Sequence, residues 1–346
     1  MIHNSKGCCN FLTELEESMQ NTNNKLRPSL TTGLAKGWSG FVWMLKILVP
    51  ISLLTSLLAW SGWINRLDFI LEPVMGMIGL PPVAALPFIA GLLTGPYGAI
   101  AAMAPLPLTV DQMTLLAIFL LISHNLIQEG VIQSKSGLPF LKATLFRLIA
   151  SITTVMVVSR FMDHETVTGA LTDAPVIIQA PLFSMLKIWT TATLVLAGKI
   201  LVIIMTLMII LEIMKNYNLI DRIVGVMAPI LKVLGLGRQT GFLWLTAATF
   251  GLTYGAAVIV EETKEGNLSK DELERLHLSI GINHSIIEDP ALFLSMGLGL
   301  FWLCVPRLVA AIVVVQLFIL FKRLTSLISV CSRKLGCKNA KSRSTS

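Results

Sequence analysis

Residues 122–130 read Ile-Ser-His-Asn-Leu-Ile-Gln-Glu-Gly, and residues 282–290 read Ile-Asn-His-Ser-Ile-Ile-Glu-Asp-Pro. The first stretch follows the apolar run Thr114 to Leu121, where a histidine and a glutamate are costly without partners. Laid on one another at an offset of 160 residues, the two stretches extend without a gap from Leu108/Leu268 to Val158/Phe318. Identities at Asp111/Asp271, Leu116/Leu276, His124/His284, Gly137/Gly297 and Arg147/Arg307 mark an internal duplication. Both copies open with a capping box, Thr109-x-x-Gln112 and Ser269-x-x-Glu272, which signals a helix start. Upstream, Thr94-Gly95-Pro96-Tyr97-Gly98-Ala99 answers Gly251-Leu252-Thr253-Tyr254-Gly255-Ala256, which puts Tyr97 and Tyr254 at one repeat position.

Composition sets the surroundings. Of 346 residues 54% are hydrophobic and 14% charged, and several apolar runs reach the ~20 residues that cross a bilayer. The chain therefore reads as an all-α integral membrane protein whose main partner is the lipid bilayer. Its formal net charge of +7 is concentrated in a tail that holds Lys322, Arg323, Arg333, Lys334, Lys338, Lys341 and Arg343 with no acid, which suits a cytoplasmic membrane face and not nucleic acid. The polar start lacks a cleavable apolar core, so the first hydrophobic helix is expected to stay as an anchor. Cys8, Cys9, Cys304, Cys331 and Cys337 form no ligand spacing and are expected as free thiols. The two histidines stand far apart in sequence and no HExxH spacing occurs, so no metal site, no cofactor and no enzyme chemistry are expected.

Positive charge decides the topology. Eight full crossings would put the segment 215–238, with Lys215, Arg222, Lys232 and Arg238, outside, and the acidic loop of Asp163, Glu165 and Asp173 inside. If 82–104 and 239–260 instead enter and leave on one side, each arm has about 10 to 12 residues and reaches mid-bilayer only. The expected fold is then two inverted repeats with six full crossings and two re-entrant helical hairpins, and short amphipathic stretches at 66–79 and 219–234. The divisions are a polar segment 1–38, repeat 1 at 39–165, an external linker 166–182, repeat 2 at 183–321 and the basic tail 322–346, with both termini on the cytoplasmic side of the plasma (inner) membrane.

Paired interruptions in inverted halves point to a transporter's substrate site. The expected binding set is Gly95, Tyr97, Gly98, His124 and Asn125 from the first copy, and Tyr254, Gly255, Asn283, His284 and Glu288 from the second. The histidines are placed at mirror levels on the two sides of the midplane. Glu288, four residues after His284, is placed on the same helical face. Glu129, five residues after His124, points about 140° away unless the helix is broken. Arg147 is expected to pair with Glu129, and Arg307 with Asp289 or Glu288, because a lone charge at this depth costs about 2.5 kcal/mol or more.

These features, the two turns "TGPYGA" and "GLTYGA" with "ISHNLIQEG" and "GINHSIIEDPALF" after them, resemble the Gate, or nucleoside recognition, membrane proteins. That domain is shared with concentrative nucleoside transporters and the membrane part of the ferrous iron transporter B, and occurs in spore maturation proteins. The resemblance spans about 40–321. No GxxxxGK[ST] accompanies it, so a GTP-binding domain is not implied. It implies a permease for a small polar solute such as a nucleoside or ion, or else a non-transporting membrane partner with the same fold. Either is compatible with a homo-oligomer.

Overall fold

The computed structural model describes residues 5–63, 72, 75, 76, 78–162, 181–217, 219–264 and 268–343, and among them every regular element is helical. The acidic loop at 163–180 and most of the stretch 66–79 lie outside the described residues. Five helical segments are long and apolar enough to cross a membrane: Leu26–Trp60, Val110–Lys135, Phe140–Phe161, Leu182–Asn216 and Leu300–Ser326. The expected sixth crossing, at 270–295, is not among them. Its helix is 14 residues long and opens on Lys270, Asp271, Glu272, Glu274 and Arg275, so it reaches the interior only through its buried second half.

In chain order the helices are α1 (Ser5–Trp60), α2 (Ala85–Thr94), α3 (Pro96–Met103), α4 (Val110–Ser123), α5 (Leu126–Lys135), α6 (Phe140–Val158), α7 (Leu182–Asn216), α8 (Leu219–Val233), α9 (Arg238–Lys264), α10 (Lys270–Asn283), α11 (Glu288–Phe293) and α12 (Leu300–Arg343). Helices α1 and α7 run antiparallel. Ser29 meets Asn216 at 2.7 Å, Lys36 pairs with Glu212 at 2.7 Å, and Ser52 accepts from Trp189 at 3.2 Å. Their backbones approach because glycines line the seam. A methyl group on Gly33 would come within 2.8 Å of Ile209 Cα, and one on Gly37 within 2.7 Å of Met205 Sδ.

Two helical hairpins reverse the chain. Between α2 and α3 a methyl on Gly91 would lie 3.0 Å from Ala99 Cβ, although eight residues of straight helix would separate them by about 12 Å. Helix α9 is folded in half, since Gln239 Nε2 donates to Glu262 Oε2 at 2.7 Å across 23 residues. The reversals fall at Gly95 (φ 85, ψ −168) and Gly251 (φ 82, ψ 167), in a region open only to glycine. The second turn therefore comes three residues before Tyr254, whereas the first comes two before Tyr97. The two tyrosines do not share one turn position, and the described side chains do not include Tyr254, nor do they include its neighbour Gly255.

Both capping boxes form as the spacing predicts. Thr109 and Gln112 start α4, and Ser269 and Glu272 start α10. Each of these helices then stops at the histidine. His124 and His284 are extended (ψ 162 and 156), and the next residues, Asn125 and Ser285, are left-handed at φ 46 and 47. The hairpin tips hold these breaks. Asn125 N donates to Gly91 O at 3.3 Å, while Ser285 N and Ile286 N donate to Ala247 O and Ala248 O at 3.4 and 2.8 Å. A methyl on Gly95 would meet Asn125 Nδ2 at 2.8 Å, and one on Gly251 would meet Ser285 Oγ at 3.0 Å.

Gly95→Ala and Gly251→Ala are each expected to lose about 1–3 kcal/mol of stability from backbone strain. Gly198→Ala, which faces open space at ordinary φ, should be neutral. Thermal unfolding of the purified variants in detergent checks the order.

Candidate functional site

Helix α4 is 14 residues long, about 21 Å, and so is α10. Their broken C-terminal ends meet. The His124 and His284 rings lie 4.9 Å apart by centroid, with Nε2 to Nε2 at 3.4 Å. The expectation of mirror levels on separate sides of the midplane is thereby corrected: the histidines occupy one place.

A helix that ends at this depth leaves carbonyls without partners. Two buried arginines supply them. Arg147, on α6, donates through Nε to Ile122 O at 2.8 Å and through Nη2 to His124 O at 2.9 Å. Arg307, on α12, donates through Nε to Ile282 O at 3.1 Å, and through Nη2 to Ile282 O and His284 O at 2.9 Å each. Both side chains are fully buried.

Glu129 follows the expected pairing, with Oε2 2.6 Å from Arg147 Nη2. The break at His124–Asn125 removes the 140° separation of a straight helix, so Glu129 also reaches both rings. Its Oε1 lies 3.0 Å from His124 Nε2 and its Oε2 lies 3.0 Å from His284 Nε2. The second copy differs. Among the described residues Arg307 has no acid within 4.0 Å, and Asp289 Oδ2 instead stands 3.4 Å from His124 Nε2 without a hydrogen bond. Glu288 does not share a helical face with His284, because the left-handed Ser285 intervenes. It accepts from the Tyr97 hydroxyl at 3.5 Å, which links the first hairpin to the second break. Asn283 donates weakly to Arg307 O at 3.4 Å, and its Oδ1 has no partner.

The remaining expected residues serve the frame. Gly95 admits Asn125, and Gly98 sits where a methyl would lie 1.8 Å from Thr94 Oγ1. The carbonyls next to the tips hold the breaks and are not turned toward an empty centre. The two histidines, Glu129 and Asp289 are thus the ionisable groups gathered between the two breaks. The Nε2 atoms and one Glu129 oxygen lie within 4.8 Å of one another, close enough to share a metal ion or protons. Sequence distance, the ground for expecting no metal, does not separate them in space.

A second buried polar layer was not foreseen. Gln133, one helical turn after Glu129, is fully buried, and neither its Oε1 nor its Nε2 has a partner. Next to it stand Gly281, where a methyl would meet Gln133 Nε2 at 3.1 Å, and His277, whose Nε2 lies 2.8 Å from Ser136 O. Trp244 donates to Ser279 Oγ at 2.7 Å nearby. The signal lay in the spacing: His277 precedes His284 by two helical turns. The layer leads toward the start of α10, where Glu274 pairs with Lys142 and a methyl on Gly137 would meet Leu273 at 2.6 Å. At the repeat-equivalent positions the other copy carries Ala117, Phe119, Leu121 and Phe293, all buried and apolar.

Interrupted helices with buried ionisable groups at their breaks define a polytopic membrane protein built around a central polar site. Residues 41–191 and 197–318 match the Gate family, described as nucleoside recognition, and the chain belongs to that family. It is 26% identical over 282 residues to the uncharacterized membrane protein YvoD of Bacillus subtilis (strain 168), which covers 81% of this chain and 90% of that protein. No solved structure matches it.

Arg147→Ala is expected to lower folded yield sharply, since breaking a buried pair costs about 3–5 kcal/mol. Adding Glu129→Ala should recover part of the loss but not all, because Ile122 O and His124 O stay bare. Size-exclusion profiles of the tagged variants measure both; equal yields from the single and the double variant would uncouple the residues.

Proposed function

We propose that the protein is a secondary permease for a small polar solute, with two repeats inverted about the membrane plane and one site where α4 and α10 end. The observation that carries this reading is the convergence of two interrupted helices on His124, His284, Glu129 and Asp289. Inversion is supported by the antiparallel course of α1 and α7. It is supported also by the start of α10 lying against the α5–α6 turn, at the far end from the start of α4. The expected divisions at 39–165 and 183–321 fit this, with six crossings once α10 and α11 together count as one, and two hairpins that enter from opposite faces. Both termini are then cytoplasmic.

The two sides of the site differ in kind. Toward the start of α10, assigned here to the cytoplasm, Gln133, Ser136, His277 and Ser279 offer polar groups. Toward the start of α4, Phe119 and Phe88 pack with ring centroids 4.6 Å apart among apolar neighbours. This is the asymmetry of a carrier closed to the outside, whose solute leaves through the polar layer. The close set of ligand atoms suits a solute of ionic size, and a nucleoside requires the repeats to separate. A non-transporting partner also has a packed centre, but such a protein has no use for the unpaired amide of Gln133, whose burial costs about 1–3 kcal/mol.

Uptake into proteoliposomes, screened over nucleosides, divalent metals, small anions and protons, tests the reading; an inert wild type across the whole set would overturn it. Gln133→Leu is expected to raise or preserve thermal stability while cutting flux about tenfold or more, an outcome that a structural role would not give. Cysteines at Val110 and Lys270 should label from opposite sides of the membrane. Labelling of both from one side would end the inverted arrangement.

A further inference from the structure

We propose that His124, His284 and Glu129, with Asp289 beside them, bind one divalent transition-metal ion, and that this ion is the solute of the permease described above. The second half of this statement rests on that reading; the first does not.

Backbone carbonyls fix the tautomer of both histidines. His124 Nδ1 lies 2.9 Å from Leu120 O, and His284 Nδ1 lies 3.0 Å from Ile280 O. A carbonyl oxygen only accepts, so both Nδ1 atoms carry the proton, and in the neutral ring each Nε2 presents a lone pair. Those lone pairs face one another at 3.4 Å, each faces a Glu129 oxygen at 3.0 Å, and that of His124 also faces Asp289 Oδ2 at 3.4 Å. Apart from Arg147 Nη2, which stands 2.6 Å from Glu129 Oε2, acceptors alone converge here: the two Nε2 atoms and one Glu129 oxygen lie within 4.8 Å of one another, and Asp289 stands beside them against His124. A proton or a metal ion is what such a cluster requires.

The spacing selects the kind of cation. Bonds of 2.0–2.2 Å to imidazole nitrogen and carboxylate oxygen, in tetrahedral arrangement, put neighbouring ligand atoms about 3.3 Å apart. The two Nε2 atoms are 3.4 Å apart and each lies 3.0 Å from a Glu129 oxygen, which suits three protein ligands with the fourth position open. Imidazole nitrogen with carboxylate oxygen favours zinc, iron, cobalt or nickel over calcium or magnesium. Each histidine also donates its other N–H to a backbone carbonyl, as ligating histidines do, which fixes the tautomer and turns the ring.

Electrostatics permits the charge. Arg147 and Arg307 offset Glu129 and Asp289, but their guanidinium groups are drawn to the helix-end carbonyls. The C-terminal ends of α4 and α10 each add roughly half a negative charge at the point where they meet, and Glu288 stands behind Asp289 against Tyr97. Arg147 Nη2, 2.6 Å from Glu129 Oε2, shares that carboxylate with the ion.

The experiment uses the full chain in detergent or nanodiscs, dialysed against Co²⁺ and, separately, Zn²⁺. One ion per chain is expected, and the bound Co²⁺ should show the intense visible absorption of four-coordination. His124→Gln, His284→Gln and Asp289→Asn should weaken binding, the histidine changes by more than about 100-fold, above the 10–100-fold produced by loss of an outer partner. Gly198→Ala, which faces open space, should leave binding unchanged. The wild-type spectrum reports ligation by itself, so misfolding of a variant leaves the test intact. A wild type that takes up no Co²⁺ or Zn²⁺ at neutral pH overturns the site, even if liposomes carry protons or another solute, in which case the permease reading stands. Tight binding with no flux of any solute supports the site and overturns the permease reading and the ion's role as its solute.

Discussion

Everything at the centre of this protein depends on two guanidinium groups bonded to carbonyl oxygens. A helix cannot stop inside a membrane protein unless its last carbonyls find donors, and no solvent reaches them there. Arg147 and Arg307 each bring several N–H groups to that task from the second helix after the break. The consequence is geometric. Once the chain is allowed to stop at His124 and His284, the next residues turn left-handed, and side chains that a straight helix would scatter are brought together. The expense of burying two charges is thus offset by the backbone they satisfy as much as by the acids beside them.

The hairpins are the other half of that arrangement. Gly91 O in one, with Ala247 O and Ala248 O in the other, accepts N–H groups freed by the breaks, so a broken helix and a hairpin tip complete one another. Glycine at the tip is a requirement of contact as well as of dihedral angle, since Asn125 and Ser285 occupy the space a side chain would need.

Much of this was legible because it was written twice. The repeated histidine with an acid five residues later, the two capping boxes and the two glycine turns located the helices and singled out both histidines, and Arg147 was paired with Glu129, but the meeting of the two histidines with each other and with Glu129 was not read. What could not be read was the break itself. Asn125 is a familiar left-handed residue, but Ser285 is not, and helical-wheel arithmetic carried across Ser285 assigned Glu288 to a face that does not exist. Asp289 came into the site in its place. The pairing of Arg307 with an acid failed for a related reason, because counting charges ignores carbonyls, and the carbonyls hold this arginine. Gln133 and His277 were missed because neither is duplicated; their counterparts are Phe293 and Ala117.

The seam between α1 and α7 sets a constraint on how the chain is made. Lys36 and Glu212 stand 176 residues apart in sequence, so the ribosome has produced more than half of the protein before they can meet. Until α7 arrives, α1 waits in the bilayer with a bare groove of glycines and an unmatched lysine. The first repeat therefore cannot cover this face of α1 from its own residues, and the seam closes only once the second repeat has been made.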